Sequence, residues 1–212
     1  NGYSMTEIAA TELLKSSIAK VKVDVDRELA LFFDHKIAEA GRVDPQYRKL
    51  MLETKKLILR GGKRLRPFMV WLGWRLAGGT KYDDFLKLAV AWEIYHNSAL
   101  ILDDIMDQDH TRHNGLNIYG VYEKSLKRSH APEVATTHAR NAALMSGIST
   151  LMLAVESLRT IRLEPDHAKT LENEFLKMHF RLVGGQFVED QAALQKVIKP
   201  SQIRKIYLNK SG

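Results

Sequence analysis

The sequence predicts an all-α protein, and three observations favour that fold class. Apolar residues recur every three or four positions through long segments, which is the spacing of one face of an α-helix. The 13 glycines and five prolines are set among these long periodic segments, whereas a β fold would be rich in turns. No segment alternates apolar and polar residues convincingly enough to predict a strand. With 212 residues, of which 45% are hydrophobic, the chain is long enough to bury a sizeable core.

The first predicted helix is long and amphipathic, and it ends near Gly41 and Pro45. Its apolar face recurs at steps of mostly three or four residues and comprises Ile8, Leu14, Ile18, Val21, Val25, Leu29, Phe32 and Ile37. A second helix is predicted over residues 47–59, and a third over residues 64–77. Residues 1–4, which precede Met5, resemble an expression scar and are excluded from the fold prediction.

The remaining elements are also predicted as helices and loops. Thr80 with Asp83 is expected to cap a fourth helix. Residues 109–115 are expected to form a polar loop and residues 116–126 a short irregular element. A helix over residues 134–158 follows, and Pro165 and Pro200 are expected to open the last two, the first of which runs to about Leu194. Without repeats, low-complexity segments or an obvious linker, residues 5–212 are predicted to form a single all-α domain.

The fourth predicted helix ends in three carboxylates, those of Asp103, Asp104 and Asp107. On a helix Asp103 and Asp107 lie one turn apart, with about 5–6 Å between their Cβ atoms. Like charges repel at this spacing, and the negative end of a helix dipole increases the repulsion. Nearby, only Arg112 and a protonated histidine could offset it. Mg²⁺ commonly uses one or two carboxylates together with substrate phosphates, so it is the best candidate cation. The alternative is a solvated acidic helix end.

A second charged motif comprises residues 61–67, Gly-Gly-Lys-Arg-Leu-Arg-Pro. The two glycines allow the next helix to begin sharply with exposed backbone N–H groups, which favours phosphate binding. Lys63 supplies a mobile point charge, and Arg66 supplies a planar fork suited to bidentate phosphate contact. Read alone, the motif could be a basic surface turn. Beside a carboxylate cluster that favours a metal-bound phosphate, it indicates two phosphorylated substrates.

Composition limits the other classes of function. The chain has no cysteine, which excludes a disulfide framework or a thiolate metal site and is typical of a reducing compartment. The net charge of +7 is dispersed along helix faces, so no nucleic-acid partner is expected. No stretch reaches 18 uncharged apolar residues and no signal-peptide pattern is present. We therefore expect a cytoplasmic protein without stable membrane insertion.

The two motifs together resemble those of the trans-isoprenyl diphosphate synthases, also called polyprenyl synthetases. Gly-Gly-Lys-Arg-Leu-Arg-Pro at residues 61–67 is followed by Glu93, His96, Leu100 and the aspartate motif in the order found in that family. The resemblance covers essentially the whole chain. It implies a helical bundle of the isoprenoid synthase type around a central apolar cavity. It also implies a Mg²⁺-dependent prenyltransferase, normally a homodimer, that joins isopentenyl diphosphate to an allylic diphosphate.

The resemblance also assigns roles to individual residues. Asp103 and Asp107 match the metal ligands that hold the allylic diphosphate, with Asp104 in support. The family's positions for isopentenyl diphosphate are matched by Lys63, Arg66 and His96. Arg112 matches the first arginine after the aspartate motif of the family. Gln186 matches the family's glutamine motif, and Lys210-Ser211 matches its Lys-Thr pair.

Four departures from the family pattern bear on function. His113 replaces the second arginine after the aspartate motif and, being mostly neutral near pH 7, should hold a diphosphate less firmly. Asn114 replaces the glycine that follows, and Glu189 replaces the aspartate partner of Gln186. The sequence also stops at Gly212, before a second aspartate-rich motif, so we expect that it lacks the C-terminal third of the protein or is a partial subunit.

Several alternatives remain open. The first is a non-catalytic subunit of a heteromeric synthase, which the missing second motif would explain. The second is a class I terpene cyclase, although such an enzyme needs no second diphosphate site. The third is a zinc site formed by Asp109, His110 and His113, whose residues a polar loop explains equally well.

Product length is predicted from the helix that carries the aspartates. The tunnel-facing positions before the motif are Ser98 and Ala99 near the mouth, with Tyr95 below them and Ala91 one turn deeper. Ser98 and Ala99 are small, so a growing chain should pass them and meet Tyr95 as the first large obstacle. In the resembling family, bulky residues at the equivalent of the first two positions limit products to short chains. We therefore expect products of about 20–25 carbons, since one prenyl unit extends about one helical turn.

Overall fold

The computed structural model describes residues 5–195 and 197–210, with side chains from residue 12 onward, and it confirms the all-α prediction. The prediction for residues 1–4 lies outside this range. The described residues form eight helices and one short hairpin: α1 (Met5–Val43), α2 (Pro45–Arg60), α3 (Leu65–Leu76), α4 (Tyr82–Met106), β1 (Thr111–Arg112), β2 (Gly115–Leu116), α5 (Ile118–Leu126), α6 (Pro132–Leu158), α7 (Pro165–Ala193) and α8 (Pro200–Lys210). The chain separates after Ile161 into two compact units, which are described separately below.

Helix α1 has one face buried in the first unit. The buried positions recur mostly at intervals of four residues and comprise Val21, Val25, Leu29, Phe33, Ile37 and Ala40. The prediction of Phe32 on this face is wrong by one position, because Phe33 is the fully buried ring and Phe32 packs edge-on against it. The helix ends at Val43, between Gly41 and Pro45 as predicted.

Helices α2 and α3 are separated by the basic motif. The Asp44 side chain accepts a hydrogen bond from the Gln46 backbone N–H at 2.6 Å, and Pro45 occupies the first turn of α2, where a missing N–H costs nothing. Helix α2 ends at Arg60. Helix α3 begins at Leu65, after Arg64 adopts the left-handed conformation with φ 51°. This reversal places residues 61–64 of the motif in the turn between the two helices and residues 65–67 in the first turn of α3.

Helix α4 is the central helix of the first unit and packs mainly against α6 and α3. The face of α6 that meets it consists largely of small residues, which allow the two backbones to approach closely. Gly147 shows how close the approach is, since a Cβ there would lie 2.6 Å from Leu102 Cδ2. Among the described helices, α6 alone is long and apolar enough to span a membrane by length and composition, and 39% of that window is buried inside the protein. The core helix of a soluble protein has the same properties.

Two local predictions in this region are wrong. Thr80 does not cap α4, because the N-cap residue is Lys81 and no side chain there makes a capping hydrogen bond. Residues 118–126, predicted as irregular, form the regular helix α5. Asn117 caps this helix by accepting a hydrogen bond from the Gly120 backbone N–H at 2.9 Å. The polar loop before it contains the two-residue strands β1 and β2, which pair antiparallel.

The second unit contains α7 and α8, which begin at Pro165 and Pro200 as predicted. They pack closely where Gly185 lies against the end of α8. A Cβ on Gly185 would lie 2.7 Å from the backbone nitrogen of Lys210.

Candidate active site

The carboxylates of the aspartate motif lie at the C-terminal end of α4, where the helix dipole is negative. Helix α4 ends at Met106 with Asp107 as its C-cap residue, and no basic residue lies in its last turn. Asp107 is exposed, and the Asp103 side chain is 27% exposed. These two carboxylates therefore face solvent at the helix end. They repel each other, and no basic residue in the last turn of the helix offsets that repulsion.

Asp104 differs from its neighbours because it is buried and paired with Arg112. Arg112 Nε donates a hydrogen bond to Asp104 Oδ1 at 2.7 Å, and Nη2 lies 2.5 Å from the same oxygen. Arg112 Nη2 also lies 3.9 Å from Asp103 Oδ2. Burial raises the pKa of Asp104, while the Arg112 guanidinium opposes that shift. The second oxygen of Asp104, Oδ2, is buried without a hydrogen-bond partner in the described part of the chain.

The predicted isopentenyl diphosphate residues lie together in one pocket of about 250 Å³. Lys63 and Arg66 come from the turn before α3 and its first residues, His96 comes from α4, and His113 comes from the hairpin. Arg66 Nη1 lies 3.0 Å from His96 Nε2. The fold therefore brings together four predicted binding residues from three separate parts of the sequence.

His96 is neutral in this pocket at pH 7. Burial, followed by the charge of Arg66, lowers the pKa of His96 to about 4. A guanidinium can only donate hydrogen bonds, so His96 Nε2 accepts and the ring proton is assigned to Nδ1. The positive charge of the pocket is therefore carried by Arg66 and Lys63 rather than by the histidine.

Arg64, between these two cations, has no predicted role, yet it supports the turn from below. It is 4% exposed, and it donates hydrogen bonds to Asp26 at 2.7 Å, to Glu93 at 2.5 Å and to the carbonyl oxygen of Ile58 at 2.7 Å. One guanidinium thus joins α1, α2 and α4 beneath the pocket. The partners are distant in sequence, so no local pattern could have revealed this role.

The hairpin between α4 and α5 carries Arg112 and His113. His113 and Asn114 form its two-residue tip with φ values of 52° and 59°, the left-handed values of a type I′ turn. Asparagine and histidine tolerate this conformation better than most residues, so Asn114 does not need to be the family's glycine. Burial, followed by the charge of Arg112, lowers the pKa of His113.

Two other predicted residues, Gln186 and Lys210, lie in the second unit. Gln186 is partly buried on α7, and Lys210 at the end of α8 forms an ion pair with Glu189. Glu189 is the residue that replaces the family's aspartate, so here its carboxylate meets the predicted Lys210. The catalytic and binding roles of both residues stay predictions.

The residues predicted to control product length all lie on α4. Tyr95 and Ser98 are buried, and Ala99 is partly buried. Ser98 Oγ donates a hydrogen bond to the Tyr95 backbone carbonyl at 2.7 Å, and burial raises the pKa of Tyr95 to about 12. Their place on a tunnel wall stays a prediction.

The donor atoms at the end of α4 suit Mg²⁺ better than a zinc ion. Within the described ranges, no group of three or more histidine, aspartate or glutamate side chains is arranged to hold a metal. Asp103 and Asp107 offer carboxylate oxygens, and Mg²⁺ in proteins often takes only one or two of these and completes its shell with phosphate and water. His110 pairs with Glu123 at 3.1 Å, while His113 lies against Gly61, which gives the zinc alternative no support.

A helical unit with a carboxylate-ended helix and a basic pocket two turns away along the same helix is the arrangement expected of an isoprenyl diphosphate synthase. Residues 48–212 match the protein family described as polyprenyl synthetase, which is more than half of the chain. The chain belongs to this family.

Individual relatives agree with this membership. A short chain isoprenyl diphosphate synthase from Methanocaldococcus jannaschii is 40% identical over 77 residues, covering 35% of this chain and 22% of that protein. A geranylgeranyl diphosphate synthase from Methanosarcina mazei is 27% identical over 154 residues, covering 73% of this chain and 42% of that protein.

A solved structure shows the same fold. Geranylgeranyl pyrophosphate synthase from Corynebacterium glutamicum, complexed with isoprenyl diphosphate and magnesium, matches with a TM-score of 0.82 at 19% identity, covering 90% of this chain and 55% of that one. At that identity the likeness establishes the fold alone. The chain spans about half or less of the length of these three proteins.

Proposed function

We propose that the chain belongs to a Mg²⁺-dependent isoprenyl diphosphate synthase that joins isopentenyl diphosphate to an allylic diphosphate and makes trans-polyprenyl products of about 20–25 carbons. The observation that carries the proposal is the convergence of Lys63, Arg66 and His96 in one pocket. His96 lies seven residues before Asp103 on α4, which is about two helical turns. Two diphosphates could therefore bind side by side along one helix.

The basic pocket is suited to the diphosphate that carries no metal. Arg66 offers a planar guanidinium for bidentate contact, and Lys63 offers an exposed ammonium group on a flexible chain. A diphosphate that entered would replace the Arg66–His96 contact or bridge the two side chains. Its negative charge would raise the pKa of His96 from about 4, so binding would be accompanied by proton uptake at mildly acidic pH.

The carboxylate end of α4 is suited to the allylic diphosphate. When bound to Asp103 and Asp107, Mg²⁺ would act as a Lewis acid that neutralises the leaving diphosphate. Arg112 lies next to this site, where it pairs with the buried Asp104 carboxylate and also lies 3.9 Å from Asp103 Oδ2. Heterolysis of the C–O bond gives an allylic cation, which the double bond of isopentenyl diphosphate attacks. A proton is then lost to the diphosphate released by the heterolysis, and no side chain is assigned as its acceptor.

The proposed product range follows from the helix and agrees with the names of relatives. Ser98 and Ala99 are small, and Tyr95 is the first large side chain before them on the same face of α4. The relatives include geranylgeranyl and geranylfarnesyl diphosphate synthases. We further propose a homodimer in the cytoplasm, without a nucleic-acid partner or stable membrane insertion.

Two alternative functions make different predictions. A non-catalytic subunit would bind substrates but would turn them over only with a partner chain. A class I terpene cyclase would use the aspartates without the basic pocket, so the placement of Lys63 and Arg66 argues against it.

Incorporation of labelled isopentenyl diphosphate into acid-labile product, with geranyl diphosphate and Mg²⁺, tests the proposal. We expect incorporation by the complete protein to which this chain belongs, its loss in Arg66→Met, and its retention in Arg75→Met, an exposed arginine near the opposite end of α3. Incorporation only after addition of a partner chain would favour the subunit alternative. Cyclisation of geranylgeranyl diphosphate without isopentenyl diphosphate would favour the cyclase and contradict the proposal.

A further inference from the structure

The hairpin of residues 111–116 links the two proposed diphosphate sites. Arg112 is paired with Asp104 on the side of the aspartate motif, while the adjacent residue His113 lines the basic pocket. The base of the hairpin has its own anchor, because Asn117 Nδ2 donates a hydrogen bond to the Asp109 carbonyl at 2.7 Å. This bond fixes the base of the hairpin but not its tip, so the position of the tip depends on its contacts with other segments.

The C-terminal end of α2 contacts the hairpin through two consecutive residues. Arg60 Nη2 donates a hydrogen bond to the Leu116 carbonyl at 2.7 Å, and the Arg60 guanidinium lies so close to Gly115 that a Cβ there would overlap it. The next residue, Gly61, lies beneath the His113 ring, where a Cβ would be 2.5 Å from His113 Cγ. Arg60 thus holds one strand of the hairpin with a hydrogen bond. Gly61, which has no side chain, leaves the space that the His113 ring at the tip occupies.

We propose that Arg60 and Gly61 are positioning residues that place His113 in the basic pocket and thereby set the affinity for isopentenyl diphosphate. This inference rests on the proposed function. Neither residue needs to touch the substrate, and Arg60 does not line the pocket. Gly61 has φ −158°, an extended conformation open to any residue, so the requirement for glycine is the space taken by His113.

The two contacts act on the tip more than on Arg112. Arg112 keeps its bonds to Asp104 when the tip moves, because those bonds connect β1 to α4. Displacement of His113 should therefore weaken isopentenyl diphosphate binding more than binding at the aspartates. A general loss of stability would weaken both alike, so the difference between the two ligands separates positioning from a purely structural role.

The test compares Arg60→Met and Gly61→Ala with matched controls in the full 212-residue chain. Arg75→Met is the arginine control, because Arg75 also bonds a backbone carbonyl, that of Gly79, at 3.3 Å. Gly73→Ala is the glycine control, because a Cβ there meets nothing within 4 Å. Calorimetry measures binding of isopentenyl diphosphate, and of geranyl diphosphate with Mg²⁺. NMR titration, assigned with His113→Gln, follows the His113 ring.

We expect both test variants to bind isopentenyl diphosphate about tenfold or more weakly, the effect of one charge-assisted hydrogen bond, while geranyl diphosphate binding changes less. His113 should also titrate at a higher pH in both, since it loses burial or the charge of Arg60. The controls should match the parent. Unchanged isopentenyl diphosphate affinity, or equal loss for both ligands, would overturn the inference. Failure of the parent to bind isopentenyl diphosphate would instead refute the proposed function, and the His113 titration would then decide alone whether Arg60 and Gly61 place the tip.

Discussion

Replacement of Arg64 by methionine should destabilise the first unit strongly, although the neighbouring Arg66 tolerates the same change. Arg64 is 4% exposed and neutralises Glu93, which is also 4% exposed, while bonding Asp26 and one backbone carbonyl. Methionine fills a similar volume but leaves the Glu93 carboxylate buried without its cation. Breaking a buried ion pair from one side costs about 3–5 kcal/mol. The free energy of unfolding should fall by about that amount.

Tryptophan fluorescence in a urea titration measures this loss selectively. All three tryptophans, Trp71, Trp74 and Trp92, lie in the first unit, so the signal reports that unit. Arg66→Met is the matched control and should unfold close to the parent, since Arg66 is exposed. Adding Glu93→Gln to Arg64→Met should restore part of the stability, because it removes the unpaired charge. An Arg64→Met variant within about 1 kcal/mol of the parent would refute the role given to the buried Arg64–Glu93 ion pair, since so small a loss is typical of substitutions outside such features.

Three further predictions concern the pocket and the central helix. The pKa of His96 is lowered to about 4 in the folded chain, from about 6.5 in the unfolded chain. As pH falls from about 6.5 to about 4, the unfolded chain therefore binds a proton at His96 that the folded chain does not, and the free energy of unfolding decreases. His96→Gln should flatten this part of a stability–pH curve measured in urea. Gly147→Val should destabilise by about 1–3 kcal/mol in the same urea assay, because even a Cβ would lie 2.6 Å from Leu102 Cδ2, and an unchanged midpoint would contradict the close α4–α6 packing. Chromatography of dephosphorylated products should show shorter chains with Ser98→Phe and longer chains with Tyr95→Ala, and an unchanged distribution for both would remove α4 from the tunnel wall.

The helices could be predicted from the sequence because their signals are local. Apolar spacing together with glycine and proline boundaries located every described helix longer than ten residues, and Pro165 and Pro200 marked two starts correctly. Gly41 and Pro45 marked the end of α1 correctly, since the helix ends between them at Val43. Phe33 was missed because Phe32 and Phe33 are adjacent and an apolar spacing of three or four residues fits either of them.

The site was predictable where it follows from motif spacing and unpredictable where it depends on contacts between distant segments. Lys63, Arg66 and His96 share a pocket as the resemblance implied. Arg64 meets Glu93 and Asp26, which lie 29 and 38 residues away, and periodicity carries no information about such pairs. The hairpin was missed because its positive-φ tip falls on His113 and Asn114 rather than on a glycine.

Calorimetric binding of geranyl diphosphate, with and without Mg²⁺, reports on the aspartate site itself, because it does not require turnover. We expect binding that depends on Mg²⁺ in the parent and is lost in Asp103→Asn. The same variant should keep its affinity for isopentenyl diphosphate, because that ligand is assigned to Lys63, Arg66 and His96. Binding of geranyl diphosphate that is equally tight without Mg²⁺, or is unchanged in Asp103→Asn, would contradict the assignment of the carboxylates at the end of α4.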